Sequence, residues 1–196
     1  RVPIKNRLQE TAPPADEQVS TDALQLVRFG LRAADDPLVR DTVTVIDALL
    51  RVDMPAGPAW RRYNGDGYGE HQDGAPFDGS GCGRPWPLLT GERGHYELLA
   101  GRDPLPHLRA MAATASAGGM LPEQVWDDTP IPARNLYPGR PTGSAMPLAW
   151  AHAEFVKLAL SCHGTRPCDC PASVWERYRG RRPTPRVALW LEHAPM

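Results

Sequence analysis

Glu123 stands in the stretch Met120-Leu121-Pro122-Glu123-Gln124-Val125-Trp126-Asp127, behind Gly118-Gly119 and ahead of Pro141-Thr142-Gly143-Ser144-Ala145-Met146-Pro147. An acidic residue on a connection, after a proline and before a tryptophan, is placed for proton transfer rather than for packing. Ionised Glu is seldom buried without a partner, and functional groups concentrate on loops held by a rigid scaffold. The plain alternative is a solvated loop carboxylate, and the choice between the two rests on what else the chain carries.

A second cluster lies upstream. Residues 53–84 form a long glycine-rich segment without helical periodicity, the kind of connection that is uncommon in a compact domain unless it is functional. It holds Arg62, Tyr63, Asp66, Tyr68 and Glu70, a density of aromatic and hydrogen-bonding groups suited to a sugar. Arg62 offers a planar fork that can bridge neighbouring hydroxyls, and Asp66, four residues on, can accept from hydroxyls or hold Arg62 in place. Trp86 follows this loop, and Trp126 and Trp150 flank the far side of Glu123; each supplies an apolar ring for a sugar face or, alternatively, for the core. Gln124 is expected to be oriented by the backbone rather than by sugar.

Together, Arg62-Tyr63-Asn64-Gly65-Asp66-Gly67-Tyr68-Gly69-Glu70, Gly83-Arg84-Pro85-Trp86-Pro87, the Glu123 loop and Met146-Pro147-Leu148-Ala149-Trp150 resemble the C-terminal half of glycoside hydrolase family 15, the glucoamylase and glucodextranase group. The resemblance runs from about Leu24 to about Tyr178, and four motifs in the family's order make it specific. It implies an exo-acting, inverting hydrolase that releases glucose from the non-reducing ends of alpha-glucans, with Glu123 as general base. Arg62, Tyr63, Asp66, Glu70, Trp86, Trp126 and Trp150 are its sugar-binding candidates. The linkage attacked (alpha-1,4, alpha-1,6 or alpha,alpha-1,1) stays open. No cofactor or metal is implied, and a periplasmic or extracellular setting is favoured over a cytoplasmic one. The family's general acid belongs to a paired-acid tryptophan segment in the barrel's first half. Trp175-Glu176-Arg177 only mimics it, since it follows the base. The expected partner is therefore the missing N-terminal half of the same enzyme. The alternative is a carbohydrate-binding remnant that lacks the acid.

Composition agrees with this reading and excludes others. With 22 basic and 23 acidic residues, the net charge of -1 provides no field for nucleic acid or anionic membrane. The arginine run from Arg177 to Arg186 is interleaved with glycine and proline and reads as a solvated loop. No apolar run approaches a membrane span. Cys162, Cys168 and Cys170 crowd together, but without a paired C-x-x-C spacing. A zinc site, a Cys162–Cys168 disulfide and free thiols are all compatible with that pattern.

The positioning elements are helical. Apolar periodicity and proline starts predict six helices, beginning near Ala23, Pro37, Pro87, Pro104, Pro147 and Pro171. Asp36 and Asp103 supply N-terminal caps, and Gly91 and Gly94 let a neighbouring helix come close. The resemblance implies a twelve-helix barrel, which needs at least roughly 180 to 220 residues with minimal loops; with six helices expected here, the reading is all-α, the C-terminal half of an (α/α)6 barrel. The expected organisation is a loop or linker at 1–20, the half-barrel at 21–182 and a strand-like tail at 183–196, with Val187-Ala188-Leu189-Trp190-Leu191 as a short strand remnant.

Overall fold

The structure is a computed structural model that describes residues 1, 3, 4, 6 and 12–178. Six α-helices follow in order: α1 (Leu24–Arg28), α2 (Pro37–Leu50), α3 (Pro87–Leu99), α4 (Leu105–Ala113), α5 (Ala149–Ser161) and α6 (Ala172–Tyr178). Their starts fall where the prolines put them. The Asp36 carboxylate caps α2, accepting from the Leu38 amide at 2.9 Å, whereas Asp103 stands one residue ahead of the α4 N-cap, Pro104, and accepts from the Leu105 amide at 2.9 Å.

Helix α3 is the hub, packing against α1, α4 and α5. Its two glycines explain the closeness. A Cβ at Gly91 would lie 2.6 Å from the Glu154 side chain of α5 and 2.8 Å from Met111 of α4, and one at Gly94 would lie 2.7 Å from Leu158. The largest buried cluster gathers Leu24 and Val27 of α1, Val43, Ile46 and Leu50 of α2, and Leu88, Leu89 and Tyr96 of α3 around Trp60 and Trp86. On α4 the buried apolar residues are Ala110 and Met111.

Two elements differ from expectation. The first helix is a single short segment that stops at Arg28, because Gly30 at φ +77 turns the chain and the Leu31 and Arg32 amides both donate back to the Leu26 carbonyl. Leu31, beyond that stop, is exposed. Secondly, the glycine-rich segment begins with a β-hairpin, in which β1 (Arg51–Met54) pairs antiparallel with β2 (Gly57–Trp60). Gly57-Pro58 hid this strand, since neither residue favours one. Gly57, at φ +135, also lets the hairpin settle on Ala110, which a Cβ there would meet at 2.9 Å. Among the described residues the chain is thus mostly helical with one small two-stranded sheet. The strand expected at 187–191 and the tail at 183–196 lie outside the described residues.

Candidate functional site

The Glu123 segment is held from both sides. Its amide donates to the Ala145 carbonyl at 2.8 Å and the Gln124 amide to Ser144 Oγ at 3.0 Å. Val125 donates to the Pro85 carbonyl at 3.0 Å, tying the segment to the turn that carries Trp86. Gln124 is buried, and its Nε2 donates to the Tyr68 carbonyl at 3.0 Å, so a backbone group orients it, as the sequence suggested. Glu123 itself is 9% exposed, and its Oε2 accepts from the Ala145 amide at 3.3 Å.

The Arg62 loop faces this carboxylate. Arg62 donates through Nε and Nη2 to both oxygens of Asp66, at 2.7 and 2.8 Å, and Asp66 also accepts from the Tyr68 amide at 3.0 Å. Burial opposes the Arg62 charge. The hydrogen bonds and charge of Asp66, with smaller help from Tyr63 and Glu123, more than offset this and hold the guanidinium above its ordinary range. Its plane lies 5.0 Å from the ring centroids of both Tyr68 and Trp86 and 5.3 Å from that of Tyr63. Close approach closes the loop, because a Cβ at Gly83 would lie 2.5 Å from Asp66.

Glu123 opens on a cleft of about 640 Å³, lined also by Tyr68, Glu70, Phe77, Arg134 and Gly143. Glu70 is buried at its wall. One oxygen accepts from the Gly143 amide at 2.6 Å, and the other has no hydrogen-bond partner among the described residues. A larger groove of about 870 Å³, lined by Arg32, Arg40, Tyr96, Arg102 and Trp175, carries none of the candidate residues. A third cleft, of about 650 Å³, is lined by the candidates Tyr63 and Asp66; the candidate site is the cleft that Glu123 and Glu70 line.

The other candidates take different positions. Tyr63 pairs by a β-bridge with Ser20 and lines a separate cleft behind the Arg62 loop. Trp86 is buried between Arg62 and the core. Trp126 is 0% exposed, its indole donates to the Thr129 carbonyl at 2.8 Å, and Arg84 covers it at 3.9 Å, so in this structure it supports the loop from below. Trp150 is 60% exposed on the first turn of α5. That turn is tied to the base of the Glu123 segment, since the Leu148 amide donates to the Leu121 carbonyl and the Leu121 amide to His152 Nε2.

Sequence reasoning passed over Arg84. Its guanidinium donates to Asp127 at 2.8 Å and to the carbonyls of Glu70 and His71 at 3.0 and 2.9 Å, joining the glycine-rich loop to the Glu123 segment. Its place in Gly83-Arg84-Pro85-Trp86 was the available signal. Cys82, Cys162, Cys168 and Cys170 are free thiols, and no group of three His, Cys, Asp or Glu gathers as a metal site among the described residues.

With that geometry in place, comparison with known proteins is direct. The family model for glycosyl hydrolases family 15 matches residues 10–160. This chain belongs to that family. A glucoamylase of Clostridium sp. (strain G0005) is 48% identical over 162 residues, which are 83% of this chain and 22% of that enzyme. A bacterial glucoamylase crystallised with acarbose superposes with a TM-score of 0.80 at 46% identity, covering 89% of this chain and 24% of its own. A glycosidase solved in its wild-type form is more distant, with a TM-score of 0.55 at 25% identity, over 82% of this chain and 39% of that one. This family 15 chain thus spans about a quarter of the length of the glucoamylases it matches.

Proposed function

We propose that this chain supplies the general-base side of an exo-acting, inverting alpha-glucoside hydrolase that releases glucose from the non-reducing ends of alpha-glucans. The observation that carries the reading is the cleft-lining carboxylate of Glu123, which shares its cleft with Tyr68, Glu70 and Phe77 and adds to the charge that holds the Arg62 guanidinium. Arg62 spends Nε and Nη2 on Asp66, which leaves Nη1 to donate to sugar hydroxyls. Tyr68 and Phe77 give the cleft aromatic walls, edge to face with centroids 5.0 Å apart. Trp150, at the head of α5, is assigned to the same sugar site once the rest of the enzyme is in place.

In an inverting reaction, the base takes a proton from a water that attacks the anomeric carbon while an acid, about 6.5 to 9.5 Å away, protonates the leaving oxygen. Glu123 takes the first role. The acid comes from the remainder of the polypeptide, which would also cover the exposed Val156 and Leu160 of α5 and Leu38, Val45 and Leu49 of α2. The test is glucose release from maltooligosaccharides by the complete enzyme, with proton NMR of the first product formed. β-Glucose appearing ahead of mutarotation supports the reading. α-Glucose, or release by residues 1–196 alone, would overturn the division of labour.

A further inference from the structure

The loop at 142–145 carries Ala145, which touches Glu123 twice. The Glu123 amide donates to the Ala145 carbonyl at 2.8 Å, and the Ala145 amide donates to Glu123 Oε2 at 3.3 Å, so the place of Ala145 decides the place of the carboxylate. Among the described residues, the other hydrogen bonds of this loop end within it or on Gln124, with one exception. The Gly143 amide donates to Glu70 Oε1, on the glycine-rich loop, at 2.6 Å. A charged acceptor shortens such a bond, and a Cβ at Gly143 would lie 3.2 Å from the same oxygen. Glu70 is fixed in turn. Its carbonyl accepts from Arg84 Nη2 at 3.0 Å, and Arg84 Nη1 donates to Asp127 of the Glu123 segment at 2.8 Å. The contacts close a ring that runs from the Glu123 segment to Arg84, to Glu70, to Gly143 and back through Ala145 to Glu123. The second Glu70 oxygen is buried without a hydrogen-bond partner among the described residues, so this carboxylate has one oxygen engaged by the loop and one sealed from solvent.

We propose that Glu70 is a positioning residue for Glu123: its carboxylate holds the 142–145 loop by the Gly143 amide, and the loop, through Ala145, sets the carboxylate that meets the attacking water. Without Glu70, every remaining hydrogen bond of the loop among the described residues ends on itself or on the segment it must hold, which leaves Ala145 without an outside anchor. A displacement of about 1 Å at a reacting group can cost on the order of 10²-fold in rate. Loosening this brace therefore falls on the chemical step and spares sugar binding.

The proposal rests on the reading of Glu123 as base, and two measurements keep the two claims apart. In the complete enzyme carrying this segment, Glu70→Ala removes the acceptor, and kcat is expected to fall about 10- to 100-fold, the scale of a hydrogen bond to a charged group, with KM within about threefold. Glu70→Gln keeps an oxygen for the Gly143 amide and is expected to restore kcat to within about fivefold of wild type. In a Glu123→Gln background, Glu70→Ala is expected to have little further effect. A wild-type kcat for Glu70→Ala, a loss confined to KM, a Glu70→Gln variant as slow as Glu70→Ala, or an undiminished effect in the Glu123→Gln background would each overturn it, the second by making Glu70 a sugar contact. Should Glu70→Ala fail to fold, Glu70→Asp, one methylene too short to keep the contact, takes its place in each comparison. Independently of activity, hydrogen exchange of the 142–145 backbone, read by mass spectrometry, should be faster in Glu70→Ala and near wild type in Glu70→Gln. Unchanged exchange in Glu70→Ala would overturn the brace. If Glu123→Gln itself turns over normally, the base assignment fails, whereas the exchange still decides whether Glu70 holds the loop.

Discussion

Two clusters in this chain set arginine against carboxylates, and they are used differently. In the first, Arg28 of α1 is 4% exposed and Glu154 of α5 3%. Arg28 forks onto both Glu154 oxygens at 2.8 to 3.0 Å and onto Asp169 at 2.8 and 3.2 Å. His95 of α3 lies 3.2 Å from Glu154, and Lys157 lies 3.1 Å from Asp169. Burial pushes the Glu154 carboxyl up, and contacts with His95 and Arg28 more than reverse the shift. The second cluster pairs Arg62 with Asp66 and then stops, and among the described residues the Glu123 carboxylate accepts one backbone hydrogen bond, from Ala145, while lining the cleft. A carboxylate whose two oxygens are both engaged by a fixed guanidinium joins helices. One that keeps a lone pair toward a cleft can take a proton.

The contrast breaks first at Glu123 itself. Glu123→Gln in the complete enzyme is expected to lower kcat about 10²- to 10⁴-fold while leaving glucose binding, read by calorimetry, and melting temperature nearly unchanged. Glu154→Ala should do the reverse. Removing one partner of a buried pair destabilises by about 3 to 5 kcal/mol, read by denaturant unfolding, and a loss below about 1 kcal/mol would place Glu154 in the same class as an exposed charge. Arg62→Lys should lower kcat/KM about 10- to 100-fold, since an ammonium cannot keep both the Asp66 fork and a contact to the sugar. Wild-type kinetics would make Arg62 a merely structural residue.

A smaller effect sharpens the structural side. Glu92 of α3 is pushed up to about 7, chiefly by burial and then by the Glu154 charge, against relief from Arg28; Asp22 adds to the rise and a Gln25 hydrogen bond opposes it. The folded chain therefore keeps a proton that the unfolded chain has released, and stability falls as pH rises from about 4.5 toward 7. Glu92→Gln should flatten that part of the profile and raise stability at pH 8 by about 1 to 2 kcal/mol, allowing for partial solvent screening. Thermal melts across that range check the sign. Cys168→Ser should leave glucose release unchanged, as Cys168 hydrogen-bonds to Ser161 and the Lys157 carbonyl and does not line the Glu123 cleft. Loss of activity with the fold intact would expose a role that neither cluster explains.

Sequence reached the parts of this molecule that are written locally. Proline starts and aspartate caps located α2 to α6 because the orphan amides of a first turn are satisfied within a few residues. Gly91 and Gly94 marked the close faces of α3 for the same reason. Arg62 and Asp66 were legible as a pair because their spacing is their geometry. The β-hairpin was not, since Gly57-Pro58 suppresses the strand signal and only packing on α4 restores it. Nor was the division between Trp126, sealed beneath Arg84, and Trp150, left exposed, because burial is set by segments far apart in sequence. The Arg84 clamp and the Tyr68 contact to the Glu123 cleft were hidden likewise, joining segments more than 40 residues apart.

The central claim is that Glu123, and not a residue of the sealed cluster, activates the attacking water. It is tested most directly by Glu123→Ala in the complete enzyme, assayed on an activated alpha-glucoside with and without azide. Azide fits the space vacated by the carboxylate and needs no base, so it can attack the anomeric carbon in place of water. The account predicts slow hydrolysis without azide, and accelerated turnover with azide to β-glucosyl azide, of inverted configuration. Hydrolysis at the wild-type rate without azide, or α-glucosyl azide as the product, would contradict it.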